Sequence, residues 1–310
     1  MRIDKKLGIR YPLIQGGMAN IATGEFAAAV SNAGALGLIG AGGWTVEQVE
    51  EQINICKKLT DKPFGVNLML MNPQAPQIAE LLANEKIAVI TTGAGNPAPY
   101  MEKWKENGTL VMPVMTSTLI AKRLEAAGAD YIIAEGTESG GHVGEMTTMA
   151  MIPQMVDALN IPVIAAGGIA DGRQVLAAFA LGASGVQVGT CLLASKECPI
   201  HENYKDAVIK AKDNDTVVTG RIGGTPVRIL KNQMAREYVK REKEGADKME
   251  LESYTLGSLR RAVLEGDTKT GSLMAGQVAG QVKAIRPLAE IFADMCEGAM
   301  KTYHGLNERK

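Results

Sequence analysis

The chain has 310 residues, of which 46% are hydrophobic and 22% charged, and its formal net charge at pH 7 is −1. This composition can bury a large core and excludes an intrinsically disordered chain. The near-zero charge argues against the strongly basic surface of a dedicated nucleic-acid-binding protein.

The redox and targeting signals predict a reduced, cytoplasmic protein. The four cysteines are scattered without a C-x-x-C spacing, and the N-terminus lacks the apolar core of a signal peptide. Because no run of 18 apolar residues occurs, we expect no membrane-spanning helix and no membrane partner.

Eight short apolar runs recur along the first two thirds of the chain. Their starts are about 20 to 32 residues apart, which is the room that a strand, two loops and a short helix need. The runs are apolar on both faces, as buried parallel strands are. They comprise residues 13–16, 36–41, 64–68, 87–91, 110–114, 130–134, 162–166 and 185–189.

Helix signals occupy the gaps between these runs. Thr45-x-x-Gln48 and Asp171-x-x-Gln174 have the spacing of capping boxes, and Gly182 stands where the second of these helices should end. Eight strand–helix units favour a (β/α)8 TIM barrel of the α/β class over an open doubly wound sheet, because that number closes without an edge strand.

The alternation of strands and helices stops after the eighth run, which predicts three parts. Residues 1–196 are expected to form the barrel, and residues 197–271 a small helical subdomain that serves as a lid or binds substrate. Residues 272–310 regain apolar periodicity and should return to the barrel.

Glycines follow the seventh and eighth predicted strands. Gly167 and Gly168 precede a predicted helix, and Gly189 is followed by the hydroxyl of Thr190. Ligands bind such barrels at the carboxyl ends of the strands, where bare N–H groups and helix N-termini can hold a phosphate. The sequence therefore predicts a phosphate site here. A dinucleotide motif at residues 93–98 is rejected, because prolines interrupt the helix start that it needs.

Of the three histidines, only His142 lies in a loop after a predicted strand. The glycines around it offer little packing for a buried imidazole, so a catalytic or ligand-contacting role is favoured. The wide spacing of the histidines argues against a zinc site. Glu135 ends the otherwise apolar sixth strand; we expect it to accept hydrogen bonds from ligand hydroxyls, and a buried ion pair is the alternative.

Four motifs resemble the FMN-dependent nitronate monooxygenase superfamily, and the match spans nearly the whole chain. They are residues 14–19, 135–144, 166–172 and 187–190. Within that superfamily, residues 141–149 and 271–280 are similar to the enoyl-acyl carrier protein reductases II of bacterial fatty-acid synthesis.

Three positions bear on the assignment to this reductase subfamily. Val143 agrees with the assignment, because nitronate-oxidising relatives more often carry a basic residue straight after the histidine. Ser139 stands where many relatives have Ala, and Cys191 where reductases often have Arg.

The resemblance implies an FMN whose phosphate lies on the predicted phosphate site. It also implies that the backbone after the first strand approaches the isoalloxazine, that Asn67 hydrogen-bonds the ring and that the C-terminal segment covers it. The residues expected to contact the cofactor are Gly17, Met18, Ala19, Asn67, Glu135, Ser139, Gly140, Gly141, Ala166, Gly167, Gly168, Gln187, Gly189, Thr190, Met274, Gly276 and Gln277.

The implied reaction is the reduction of trans-2-enoyl thioesters, carried by acyl carrier protein, with NADH or NADPH through the flavin. His142 is the expected catalytic residue, which donates to the thioester oxygen as negative charge develops there. The alternatives are a nitronate monooxygenase, a flavin-free phosphosugar isomerase or aldolase, and a non-catalytic flavin-binding module.

The resemblance implies further partners. Relatives can hold a monovalent cation, K⁺ or NH₄⁺, whose ligands here are unknown, and we expect a homodimer. An acidic carrier protein needs a basic surface, for which Arg228, Lys231, Arg236 and Lys240 are candidates, although an ordinary solvated helix also explains them.

Overall fold

Eight parallel strands form a barrel in the computed structural model, which describes residues 1–222 and 225–308. The barrel strands are β1 (Leu13–Gln15), β2 (Gly37–Gly40), β3 (Phe64–Met69), β4 (Val89–Gly93), β5 (Leu110–Met115), β6 (Ile132–Glu135), β8 (Val163–Ala166) and β9 (Gly185–Val188), while β7 (Gly141–His142) belongs to a second sheet. The order is β1-β9-β8-β6-β5-β4-β3-β2, and backbone hydrogen bonds of Leu36 with Leu13 and Gln15 link β1 to the chain entering β2. The predicted barrel is confirmed.

Helices surround the barrel as the capping signals predicted. Thr45 and Asp171 both form complete capping boxes with the residue three positions on. No helix in the described part of the chain is long and apolar enough to cross a membrane. The helices are α1 (Ile3–Leu7), α2 (Gly24–Asn32), α3 (Val46–Leu59), α4 (Ala75–Asn84), α5 (Ala98–Glu106), α6 (Thr118–Ala126), α7 (Thr148–Ala158), α8 (Gly172–Ala180), α9 (Thr190–Leu193), α10 (Glu202–Lys210), α11 (Gln233–Lys243), α12 (Lys248–Thr255), α13 (Ser258–Arg260) and α14 (Leu288–Asn307), with a π-helical turn at Arg261–Glu265 and a 3₁₀ turn at Gln277–Gln281.

The interior of the barrel is apolar towards the amino ends of the strands and partly polar towards their carboxyl ends. The apolar part is a buried cluster that includes Leu38, Val89, Met112, Ile133 and Ile164. Since strand side chains alternate between the two faces of a sheet, the next inward positions towards the carboxyl ends carry polar side chains. These are Asn67, Thr91, Glu135 and Gln187.

The segment predicted as a helical subdomain also contains strands. It supplies α10 to α13 and a hairpin of β10 (Thr216–Thr219) and β11 (Val227–Leu230). β11 pairs antiparallel with both β10 and β7, so this small sheet includes His142. The hairpin was missed because its strands have four residues each and lie within a segment rich in Lys and Glu. The division of the chain at residues 196 and 271 stays a prediction.

α14 packs across the start of α8 at very short range. A Cβ atom on Gly172 would lie 2.3 Å from the backbone nitrogen of Ala299 and 2.4 Å from the carbonyl carbon of Gly298. Only a glycine permits this approach, because two helix backbones have no flexible side chain that could move aside.

Gly172→Ala is therefore expected to lower the free energy of unfolding by about 1–3 kcal/mol, although alanine has the better helix propensity. Urea unfolding measures the change. Gly305→Ala is the matched control, because a Cβ there meets no atom within 4 Å and should stabilise α14 slightly. An unchanged unfolding midpoint for Gly172→Ala would show that α14 is not packed this closely.

Candidate active site

The predicted contact residues gather at one end of the barrel. Since the carboxyl ends of parallel strands meet at the same face, the structure brings together the loop after β1, Asn67 of β3, Glu135 of β6 and the ends of β8 and β9. Residues 274–277, far along the chain, lie against the loop after β6.

The glycine turn after β8 has a conformation that requires glycine. Gly167 and Gly168 have φ angles of 91° and 72°, which lie in the left-handed region. A Cβ atom on Gly167 would lie 2.7 Å from the carbonyl oxygen of Gly136. The turn therefore brings bare backbone to the surface of the pocket.

The start of α8 contributes less to this turn than the sequence predicted. The carboxylate of Asp171 accepts hydrogen bonds from the N–H groups of Arg173 and Gln174 at 2.9 and 3.3 Å. These N–H groups are therefore taken by the helix's own cap, and α8 offers an anion its dipole rather than these two donors. At the end of β9, the N-cap Gly189 makes no such side-chain cap.

Thr190 joins the end of β9 to the C-terminal segment. Its hydroxyl oxygen accepts a hydrogen bond from the N–H of Gly276 at 2.8 Å, which leaves the hydroxyl proton free to donate. Gln277 N–H donates to the carbonyl oxygen of Glu138 at 2.9 Å, and a Cβ on Gly141 would lie 3.5 Å from the sulfur of Met274. The predicted covering segment thus packs on the His142 loop, residues 136–145.

Several buried polar atoms around this pocket have no hydrogen-bond partner among the described residues. They include the side-chain oxygens of Ser139 and Gln187. A buried polar atom without a partner costs about 1–3 kcal/mol, so these atoms indicate a ligand with polar groups of its own. Gln15 also has a side-chain oxygen without a partner, but this side chain lies on the outer face of the barrel, because the preceding Ile14 faces the interior.

Asn67 is oriented by a neighbour that sequence reasoning did not identify. Thr91 Oγ1 donates to Asn67 Oδ1 at 2.8 Å, which fixes the amide oxygen and leaves the NH₂ group to donate elsewhere. A Cβ atom on Gly17 would lie 2.3 Å from the Cβ of Asn67. The backbone after β1 therefore passes directly over this side chain.

Glu135 is a carboxyl group largely shielded from water at the end of β6. Desolvation raises its pKa to about 7, and the Ser139 side chain opposes this shift. No ion pair of the described residues includes Glu135, so nothing supports the alternative of a buried ion pair. Near neutral pH the group can both donate and accept hydrogen bonds.

Glu135→Gln should raise the free energy of unfolding of the flavin-free protein by up to about 3 kcal/mol at pH 8 and by less than about 1 kcal/mol at pH 5. The sign follows from the raised pKa: the cost of the carboxyl group begins near its unfolded pKa of 4.5, is complete above the folded value of about 7, and is lost as pH falls below the unfolded value. Urea unfolding at both pH values measures the difference. The exposed Glu51→Gln is the control, and an equal change at both pH values would be inconsistent with a buried, titrating carboxyl group.

His142 lies on β7, opposite Val227 of β11. The N–H of Val143 donates to the carbonyl oxygen of Pro226 at 3.1 Å. His142 is exposed, yet partial desolvation lowers the pKa of its imidazole. It is therefore neutral at pH 7, with one ring N–H donor and one acceptor nitrogen.

One predicted surface residue is not on the surface. Arg228 is 6% exposed, and its guanidinium donates to the carbonyl oxygen of Thr137, so its assignment to a carrier-docking surface is wrong. Lys231, Arg236 and Lys240 are exposed, and their role in docking stays a prediction. Sequence reasoning missed the burial because β11 itself was not predicted.

Comparisons with a family profile and with individual proteins indicate the same family. Residues 1–85 and 74–298 match the family profile described as nitronate monooxygenase. A protein of Staphylococcus saprophyticus named "Probable nitronate monooxygenase" is 34% identical over 323 aligned positions, which cover 89% of this chain and 91% of that protein.

Two solved structures are similar along nearly the whole chain. FabK from Thermotoga maritima is 46% identical with a TM-score of 0.96, covering 99% of this chain and 98% of the other. Nitroalkane oxidase from Streptomyces ansochromogenes is 27% identical with a TM-score of 0.85, covering 97% of this chain and 99% of the other.

Proposed function

Because the chain belongs to the nitronate monooxygenase family, we propose that it is an FMN-dependent enoyl-acyl carrier protein reductase that takes its electrons from NADH or NADPH. The observation that carries this proposal is the similarity to FabK, an enoyl-acyl carrier protein reductase II, at 46% identity over 99% of the chain. The relatives named nitronate monooxygenase are less similar, at 34% identity.

The residues at the pocket fit an FMN. Gly167, Gly168 and Gly189 offer bare backbone to the phosphate, and the Thr190 hydroxyl has a proton left to donate. The flavin would supply two-electron hydride chemistry between the nicotinamide and the substrate.

The polar atoms without partners support the same occupant. The side-chain oxygens of Gln187 and Ser139 can form hydrogen bonds with the polar groups of a flavin. The free NH₂ group of Asn67 is available to the ring. Glu135, at the level of Gln187 across the intervening Ala166, is placed to bind ligand hydroxyls.

His142 has the chemistry that reduction of an enoyl thioester needs. Hydride addition to the β-carbon places negative charge on the thioester oxygen, and a donor fixed in advance at that position stabilises the transition state. The neutral imidazole can donate its N–H to this oxygen. β11 on one side and residues 274–277 on the other hold the His142 loop, which limits movement of the donor.

The surface near the pocket favours an apolar substrate. Leu119 and Ile120 at the start of α6 and Met149 at the start of α7 are exposed, and both helices begin at the carboxyl face of the barrel. An acyl chain could cover these side chains, whereas a small nitronate would leave them in water.

The deciding experiment is anaerobic reduction of the purified yellow protein by NADH or NADPH, followed by addition of crotonyl-coenzyme A. A reductase is reoxidised by the thioester without oxygen. Persistence of the reduced flavin after the addition would be incompatible with the proposed activity.

A nitronate monooxygenase is the second candidate, because the chain matches that family along its length. Turnover of propyl-2-nitronate under air, without nicotinamide, together with failure of the anaerobic reoxidation, would favour it. The acyl carrier protein partner, the monovalent cation and the homodimer stay predictions.

A further inference from the structure

The His142 loop contains four glycines, at positions 136, 140, 141 and 144. Glycine has the greatest backbone freedom of all residues, so such a loop loses much conformational entropy when it is held in one conformation. The glycines also offer no side chains with which the loop could pack itself. The position of His142 must therefore be fixed by contacts from outside the loop.

Arg228 makes such a contact from β11. Its Nε and Nη2 atoms donate to the carbonyl oxygen of Thr137 at 3.2 and 3.0 Å, and Nη1 donates to the hydroxyl of Thr216 at 3.3 Å. Both partners are neutral. Desolvation lowers the pKa of this guanidinium, Arg221 lowers it further, and Glu138 opposes the shift. A buried charge with neutral partners is costly. The presence of an arginine here therefore indicates a role that a neutral side chain could not perform.

The backbone of the same residue holds the loop directly before His142. Arg228 lies opposite Gly141, and its neighbour Val227 lies opposite His142. One residue thus fixes position 141 through the strand pairing and position 137 through its side chain. Residues 137–141, which lead directly into His142, are therefore held at two points.

We propose that Arg228 is a positioning residue that holds the His142 imidazole in place by tying positions 137 and 141 of its loop to β11. This proposal rests on the proposed catalytic role of His142, and it adds a residue that neither the sequence motifs nor the family resemblance identified. It also means that the β10–β11 hairpin and the His142 loop act as one unit.

The test compares Arg228→Met with Arg228→Lys in the flavin-loaded enzyme. Methionine keeps much of the length of the side chain without its donors, whereas lysine keeps one donor group and the charge. We expect Arg228→Met to slow reoxidation of the reduced flavin by crotonyl-coenzyme A by about 10- to 100-fold, because a small misplacement of a catalytic group costs up to about 10²-fold in rate. Flavin content and the rate of reduction by NADH should stay within about twofold of wild type, and Arg228→Lys should recover part of the loss.

A double variant separates positioning from a general loss of structure. If Arg228 acts through the imidazole, adding Arg228→Met to His142→Ala should slow the reaction no further. Arg260→Met, an exposed arginine on α13, is the control. A further large loss in the double variant, or loss of the flavin from Arg228→Met, would overturn the proposal.

Amide hydrogen exchange gives a readout that is independent of the substrate. Residues 137–145 should exchange faster in Arg228→Met than in wild type, and at the wild-type rate in Arg260→Met. Unchanged exchange in Arg228→Met would overturn the positioning role. If the wild-type enzyme is not reoxidised by the thioester, the proposed function fails, and the exchange measurement still decides whether Arg228 holds the loop.

Discussion

Replacing His142 by alanine is expected to slow reoxidation of the reduced enzyme by crotonyl-coenzyme A by about 10²–10³-fold, the usual cost of losing a fixed donor to a developing oxyanion. Flavin binding and reduction by the nicotinamide should persist, because His142 is exposed and its proposed role is to donate to the substrate rather than to stabilise the fold. Stopped-flow absorbance of the flavin measures both half-reactions separately.

The neutral state of the imidazole allows a sharper comparison. Because desolvation lowers the pKa of His142, its N–H donor at pH 7 belongs to a neutral ring, and a neutral amide can replace it in part. His142→Gln should therefore recover some of the rate that His142→Ala loses. Near wild-type reoxidation of His142→Ala, with the flavin still bound, would remove His142 from the mechanism.

Replacing Gly167 by alanine is expected to weaken FMN binding by about 30- to 1000-fold, which corresponds to about 2–4 kcal/mol. Two costs combine: a left-handed φ angle of 91° costs an L-residue about 1–2 kcal/mol, and the new methyl group would meet the carbonyl oxygen of Gly136 at 2.7 Å. The glycine turn must shift, and with it the N–H groups offered to the phosphate.

Titration of the flavin-free protein with FMN, followed by quenching of flavin fluorescence, measures this change. Gly8→Ala separates backbone strain from loss of the phosphate site, because Gly8 has a φ angle of 67° and a methyl group added there would meet no atom within 4 Å. It should lower stability slightly and leave FMN affinity unchanged. Equal affinities of Gly167→Ala and wild type for FMN would place the phosphate elsewhere.

Local sequence signals were sufficient to predict the barrel. The eight apolar runs became eight parallel strands, and the capping boxes at Thr45 and Asp171 are both present. These features depend on residues within a few positions of one another, so their physical causes are visible in a short window of sequence. The glycines after β8 could be interpreted in the same way, since a left-handed turn requires them wherever the rest of the chain lies.

Contacts between distant segments were not predictable in this way. Arg228 was expected on a docking surface, but it reaches Thr137 across 91 positions, and β11 pairs with the short strand that carries His142. Thr91 orients Asn67 from the neighbouring strand. Each of these contacts depends on strand register and on which side chains face each other, which the local pattern does not contain.

The sequence by itself determined the barrel and the glycine turns at the carboxyl ends of its strands, because apolar periodicity and glycine conformation are local properties. Only the tertiary structure decided how His142 is held, which buried side-chain oxygens lack partners and why Glu135 has a raised pKa. These properties depend on burial and on the pairing of distant segments, which exist only once the chain has folded.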